Sequence, residues 1–236
     1  MKRLLLFVLC LAAARLPAQI LSDEADISLL TCSPGQYLHE AFGHSAVRVR
    51  DYRHGIDHVY NYGLFDFNDP NFILNYAKGN LRYRLGVTSI RAFLRGYVPY
   101  GRSVYEQKLN LTREQKQAVF DYLQTNAKPE NQYYQYDYFY NNCATKVRDV
   151  LIEVVGADFS NALPPESKSI RDIVDHYLRE QSWGDLGIDL ALGMRIDDNV
   201  ESFQYMFHPD YLRDGFAGAT LNGKPLVSDS RYLARK

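Results

Sequence analysis

Long apolar runs are nearly absent from this sequence. The one that occurs, Leu4 to Ala14 within MKRLLLFVLCLAAARLPA, falls short of the roughly 20 residues a membrane-spanning helix needs, and no later stretch comes closer. Cysteine is scarce, with three in 236 residues. Positive charge is not in excess either: 27 Lys and Arg against 28 Asp and Glu leave a formal net charge of −1, which argues against nucleic acid as partner. No serine carries the flanking glycines of a nucleophile elbow. The segment HEAFGH (39–44) resembles the zinc-protease helix motif, but its histidines stand five apart. On a helix that is roughly 140° around the axis, too far to share a metal. Neither metal nor cofactor is expected.

What is present begins with the leader. Lys2 and Arg3, the apolar run and the small Ala18 form a secretory signal peptide over 1–18, cut before Gln19. Cys10 follows Leu9 in mid-run, without the small residue that a lipoprotein signal places before its cysteine, and leaves with the signal. Two cysteines then remain, Cys32 and Cys143; in an oxidising compartment a disulfide is the bland reading of an even pair, and the placing of Cys143 weighs against it. A hydrophobic content of 46% suffices for a core. The 19 tyrosines suit either that core or an amphipathic cleft, because the ring buries while the hydroxyl stays wet.

Along the chain, residues 27–32 (ISLLTC) read as a buried strand stopped by Ser33-Pro34-Gly35. Val47 and Val49 alternate with Ala46, Arg48 and Arg50, and 57–62 (DHVYNY) return after a turn, which makes a hairpin. Residues 81–87 and 103–111 also alternate, with a short helix expected at 90–96. Thr112 and Gln115 form a capping box before Val119, Phe120 and Leu123. A further helix is predicted from Cys143 to Val155, stopped by Gly156, and another over 170–178 behind Ser169. The order predicts an α+β fold with an antiparallel sheet. Residues 19–183 form the expected domain, and 184–236, rich in glycine and aspartate with weak periodicity, an extension.

Cys143 holds the chemistry. Asn142 is a favoured N-cap, so Cys143 takes the first helical position, where unpaired N–H groups and the helix dipole favour a thiolate. The same N–H groups suit an oxyanion. Against this stands the reading of a small buried hydrophobe at the head of an apolar stripe. A thiolate nucleophile needs a base. His44 opens the first hairpin strand on the face opposite Val47 and Val49, and Gly43 before it permits close approach of another segment. His54 and His58 mark wet loops and strand edges, and His176 lies off the apolar stripe of its helix. If Arg50 pairs with Asp57, Ala46 faces Asn61 and His44 lies diagonally beside that asparagine, which would orient the imidazole; a slip of one residue would substitute Tyr62. Arg102 shares a strand face with Val104 and Glu106. It reads either as a surface ion pair with Glu106 or as a cation held for a substrate phosphate or carboxylate.

The segments LSDEADISLLTCSPG, FGHSAVRV, VYNYGLFDF, GRSVYEQKLNLT and YFYNNCATKVRD, followed by GIDLALG and MFHPDYL, resemble in that order the Lnb N-terminal periplasmic domain family. The resemblance implies a circularly permuted papain-like, NlpC-related domain in which histidine precedes cysteine, with the antiparallel sheet packed on the cysteine helix. It implies a lipoprotein N-acyltransferase with Cys143 as nucleophile and His44 as base, using a phospholipid acyl donor and a lipoprotein acceptor. Its place would be the periplasm, at the membrane surface on the outer face of the inner membrane. Longer members of that family continue into membrane-spanning segments, and this sequence contains no apolar run of that length. A cysteine peptidase or amidase of cell-wall peptides and a non-enzymatic binding module with Cys32 and Cys143 bridged are the competing expectations.

Overall fold

A computed structural model describes residues 19–65, 81–179 and 196–235. The signal-peptide reading of 1–18 and the segment GIDLALG lie outside those residues. Seven strands form an antiparallel sheet in the order β11-β5-β1-β2-β3-β4-β6. They are β1 Asp26–Cys32, β2 His44–Asp51, β3 Ile56–Leu64, β4 Arg82–Ser89, β5 Val104–Leu109, β6 Tyr133–Gln135 and β11 Val227–Ala234. The helices are α1 Ile90–Arg95, α2 Arg113–Asn126, α3 Cys143–Val155, α4 Ile170–Leu178, α5 Ser202–Tyr205 and α6 Pro209–Gly218. Two short strand pairs, β7 Lys168–Ser169 with β8 Asn199–Val200 and β9 Thr220–Leu221 with β10 Lys224–Pro225, lie outside the sheet. The mixed α and β content and the large antiparallel sheet agree with the sequence reading.

Local chemistry sets the helix ends. The Thr112 side chain accepts from the Gln115 N–H while Gln115 reaches back, a closed capping box at the start of α2. Ser169 and Asp172 do the same for α4. Gly156 ends α3 in the left-handed conformation at φ 70°.

The sheet has two unlike faces, as strand alternation requires. On one, Leu29, Val47, Val49, Tyr60 and Leu85 pack against Val119 and Phe120 of α2, Val147 and Leu151 of α3, and Leu212 and Phe216 of α6. On the other, Leu30, Cys32, Ala46, Val59 and Val104 pack under Phe93 of α1. That second face also carries ions. Arg48 grips Asp57 through Nε and Nη2, both at 2.7 Å, and Glu106 through Nη1 at 2.8 Å, while Glu106 accepts in turn from Arg231 at 2.9 Å. This chain of charges joins β3, β2, β5 and β11. The Arg102–Glu106 pair raised by the sequence does not form, because those partners occupy Glu106.

The described part of the expected extension, 196–235, is built into the same unit. Strand β11 pairs with β5, and Met206, Leu212, Phe216, Leu221 and Leu226 enter the main core. A smaller cluster joins α4 to Ala41, Ile196, Tyr205 and Phe207.

Candidate functional site

Asn142 organises the start of α3. It is 4% exposed. Its Oδ1 accepts from the backbone N–H of Ala144 at 2.8 Å and of Thr145 at 3.0 Å, and Thr145 Oγ1 accepts from the Asn142 N–H at 2.8 Å. Its Nδ2 donates to the carbonyls of Tyr138 at 2.7 Å and Phe207 at 2.9 Å. Cys143, held at the first helical position, is half-buried and free, as is the buried Cys32. Both free thiols fit the reading of Cys143 as a thiolate and not the binding module with the two cysteines bridged.

The hairpin register matches the sequence expectation. Arg50 lies opposite Asp57 and Val47 opposite Tyr60. Continued outward, this register carries Asn61 to the side of His44, and His44 Nε2 meets Asn61 Oδ1 at 2.5 Å. An Oδ1 acceptor assigns the Nε2 proton to His44, which leaves Nδ1 to face the sulfur. The His44 imidazole and the Cys143 thiol lie close enough for each to shift the other's titration. Burial alone would raise the Cys143 thiol, but the nearby His44 imidazole and the backbone N–H groups of Ser45 and Ala144 hold it below 9.0. Burial alone would likewise lower His44, yet the cysteine and then Asn61 raise it above 6.5. Both directions favour a thiolate–imidazolium pair.

Gly43 is needed where it stands. It has φ 73°, and a β-carbon there would lie 2.5 Å from the Cys32 carbonyl oxygen, so β1 crosses directly behind the residue that starts β2. Cys32 is paired with His44 across the two strands. Burial pushes the Cys32 thiol far up, away from the reactive range. The Tyr97 ring stacks on His44 with centroids 6.5 Å apart, and the Arg102 guanidinium lies 4.6 Å from its centre. Arg102 is buried, with Nε on the Ser33 carbonyl and Nη1 on Glu40, both at 2.9 Å. It therefore ties the Leu38–Glu40 and Val98–Tyr100 turns together beside the histidine.

The structure thus brings Cys143, His44 and Asn61 into one line and sets Arg102 behind Tyr97. His176 is exposed on α4 and His54 pairs with Asp51 at 2.8 Å, both away from this line. Tyr97 was not singled out in the sequence. Its only local signal is that it sits between a helix stop and a Pro-Gly turn, which says nothing of a ring stacked on His44.

The family model for the Lnb N-terminal periplasmic domain matches residues 13–176, which include all four of these residues. The chain belongs to that family. Neither a curated protein nor a solved structure matches it. The Lnb N-terminal periplasmic domain match ends within α4, and the packing described above continues beyond it through α6 and β11. The family is a periplasmic one, and among the described residues no helix is long and apolar enough to cross a membrane.

Proposed function

We propose that this chain is a cysteine-dependent N-acyltransferase of the periplasm, moving an acyl chain from a phospholipid to the amino terminus of a lipoprotein. The observation that supports it is the line Cys143–His44–Asn61 at the start of α3, with the thiol lowered and the imidazole raised. In the first half-reaction His44 takes the Cys143 proton and the thiolate adds to an ester carbonyl. The oxyanion is met by the Cys143 N–H, since Asn142 takes the N–H groups of Ala144 and Thr145. The carbon–oxygen bond then breaks, His44 returns its proton to the departing lysophospholipid oxygen, and an acyl thioester remains. In the second half-reaction the lipoprotein amine adds to the thioester, His44 accepts its proton, and the thiolate leaves.

Asn61 positions the imidazole. Arg102, buried beside Tyr97 with Nε and Nη1 engaged, is the cation this reading assigns to a donor phosphate or carboxylate. The fold belongs to the same proposal: a circularly permuted papain-like domain, NlpC-related, in which the histidine strand precedes the cysteine helix. Its working place would be the outer face of the inner membrane, where donor and acceptor meet.

Incubation with phospholipid and a diacylated lipopeptide bearing a free amino terminus tests the reading. A triacylated lipopeptide that is lost in Cys143→Ala supports it. Release of the acyl chain only as free fatty acid would make the chain a hydrolase instead.

A further inference from the structure

Tyr134, the middle residue of β6, carries a buried hydroxyl with no hydrogen-bond partner among the described residues. Buried phenols ordinarily find one, and leaving such a group unmet is destabilising. Its surroundings suggest why the hydroxyl is kept. Gly63 lies in the irregular stretch between Asn61 and Leu64 where β3 breaks register with β4, at φ 88°. A β-carbon placed on it would stand 3.7 Å from Cys143 Cβ, 3.8 Å from Tyr136 Cε2 and 4.0 Å from Tyr134 Oη. The glycine thus keeps open one small space bounded by the cysteine, the Tyr136 ring and the Tyr134 hydroxyl. Tyr136 is fixed by stacking on Tyr83 with centroids 4.2 Å apart. Lys146, one turn beyond Cys143, sets its ammonium 4.9 Å from the Tyr134 ring centre, a cation–π contact that holds the ring in place. The Tyr134 oxygen lies beside the Gly63 amide without meeting it in hydrogen-bond geometry.

The helix start supplies one donor for an oxyanion, the Cys143 N–H, after Asn142 has claimed the next two. An effective oxyanion site aims more than one donor at the developing charge. We propose that the Tyr134 hydroxyl gives the second hydrogen bond to the oxygen formed when Cys143 adds to an acyl carbonyl, with Gly63 holding the space for that oxygen. The phenol keeps its proton throughout and only donates. This rests on the reading of Cys143 as an acyl-accepting thiol.

The test compares the folded chain with Tyr134→Phe in three measurements: acylation of Cys143 by p-nitrophenyl butyrate, followed as the nitrophenolate burst and the adduct mass; alkylation by iodoacetamide at the same pH; and thermal unfolding. Acylation is expected to slow about 100-fold. Alkylation, a displacement that builds no oxyanion, should keep its rate. The melting temperature should stay level or rise, since an unmet buried hydroxyl has been removed. Equal acylation rates, a parallel fall in alkylation, or a lowered melting temperature would each overturn the assignment, as would a wild-type chain that gives no burst. A wild-type chain acylated by the aryl ester but by no phospholipid would refute the acyltransferase reading alone and leave the tyrosine comparison standing.

Discussion

Replacing Asn142 with alanine removes four hydrogen bonds from one buried side chain: two accepted from the first turn of α3 and two donated to the carbonyls of Tyr138 and Phe207. Loss of an N-cap costs about 1 kcal/mol. Each carbonyl left unmet adds about 1 kcal/mol, and more for that of Phe207, whose bond is buried. The expected total is about 2–4 kcal/mol, a large share of the roughly 5–15 kcal/mol that holds a domain together. The melting temperature should fall by about 5–15 °C. Urea unfolding followed by circular dichroism measures the free-energy loss and thermal unfolding the melting temperature, and two further variants divide the effect. Asn142→Ser keeps an acceptor for the helix and should recover about 1 kcal/mol. Asn142→Asp keeps the acceptor but turns a second oxygen toward two carbonyl oxygens, so it should be no more stable than the alanine variant. Its charge should also raise the neighbouring thiol, so that iodoacetamide labelling shifts to higher pH. An aspartate variant as stable as wild type would mean that the Nδ2 bonds contribute nothing, and that reasoning would fail.

Three other outcomes are expected. Cys143 should be alkylated below pH 9.0, the ordinary thiol value, because a lowered thiol pKa keeps the thiolate as pH falls; His44→Ala should move the profile up, Asn61→Ala less so, and His176→Ala not at all. Profiles that coincide for all four proteins would remove His44 as the partner. His208 is buried, and burial, then Arg213 and His176, push its imidazole down to about 3 from 6.5. The unfolded chain therefore binds a proton below pH 6.5 that the folded chain refuses, and stability should fall by about 1.4 kcal/mol per pH unit below that point relative to His208→Asn, which keeps the N-cap of α6. Parallel pH slopes in urea unfolding would contradict this. Gly43→Ala should destabilise by more than about 2 kcal/mol, because the added carbon meets the Cys32 carbonyl in a backbone conformation that alanine disfavours; a variant of wild-type stability would show that β1 and β2 part easily there.

Much of the site could be read from the sequence because its residues sit where local rules are strict. The α3 start is set by Asn142, and the hairpin register follows from alternation and the Arg50–Asp57 pairing, so two local patterns sufficed to bring His44 and Asn61 together. Their meeting with Cys143 is a tertiary event that no local pattern encodes. Arg102 shows the limit: strand alternation placed it with Glu106, but Glu106 is taken by Arg48 and Arg231, and Arg102 finds Glu40 across 62 residues of sequence. Tyr97 and Tyr134 were indistinguishable among 19 tyrosines, since their roles depend on what the fold sets against each ring. Strand β11 escaped because it is an edge strand exposed on most of its length, which leaves little alternation to detect. Helix α6 hid behind a proline that serves as its first turn, with His208 as cap.

The proposed mechanism turns on transfer of the acyl group to the sulfur of Cys143. Intact-protein mass spectrometry after incubation with phospholipid, without any amine acceptor, measures this directly. The expected result is one fatty-acyl increment on Cys143 that hydroxylamine removes, absent in Cys143→Ala and discharged by a lipopeptide amine. In Cys143→Ser any adduct should resist hydroxylamine, since an oxygen ester is the more stable bond. An intact, unmodified thiol after exposure to every phospholipid offered would contradict the acyltransfer mechanism.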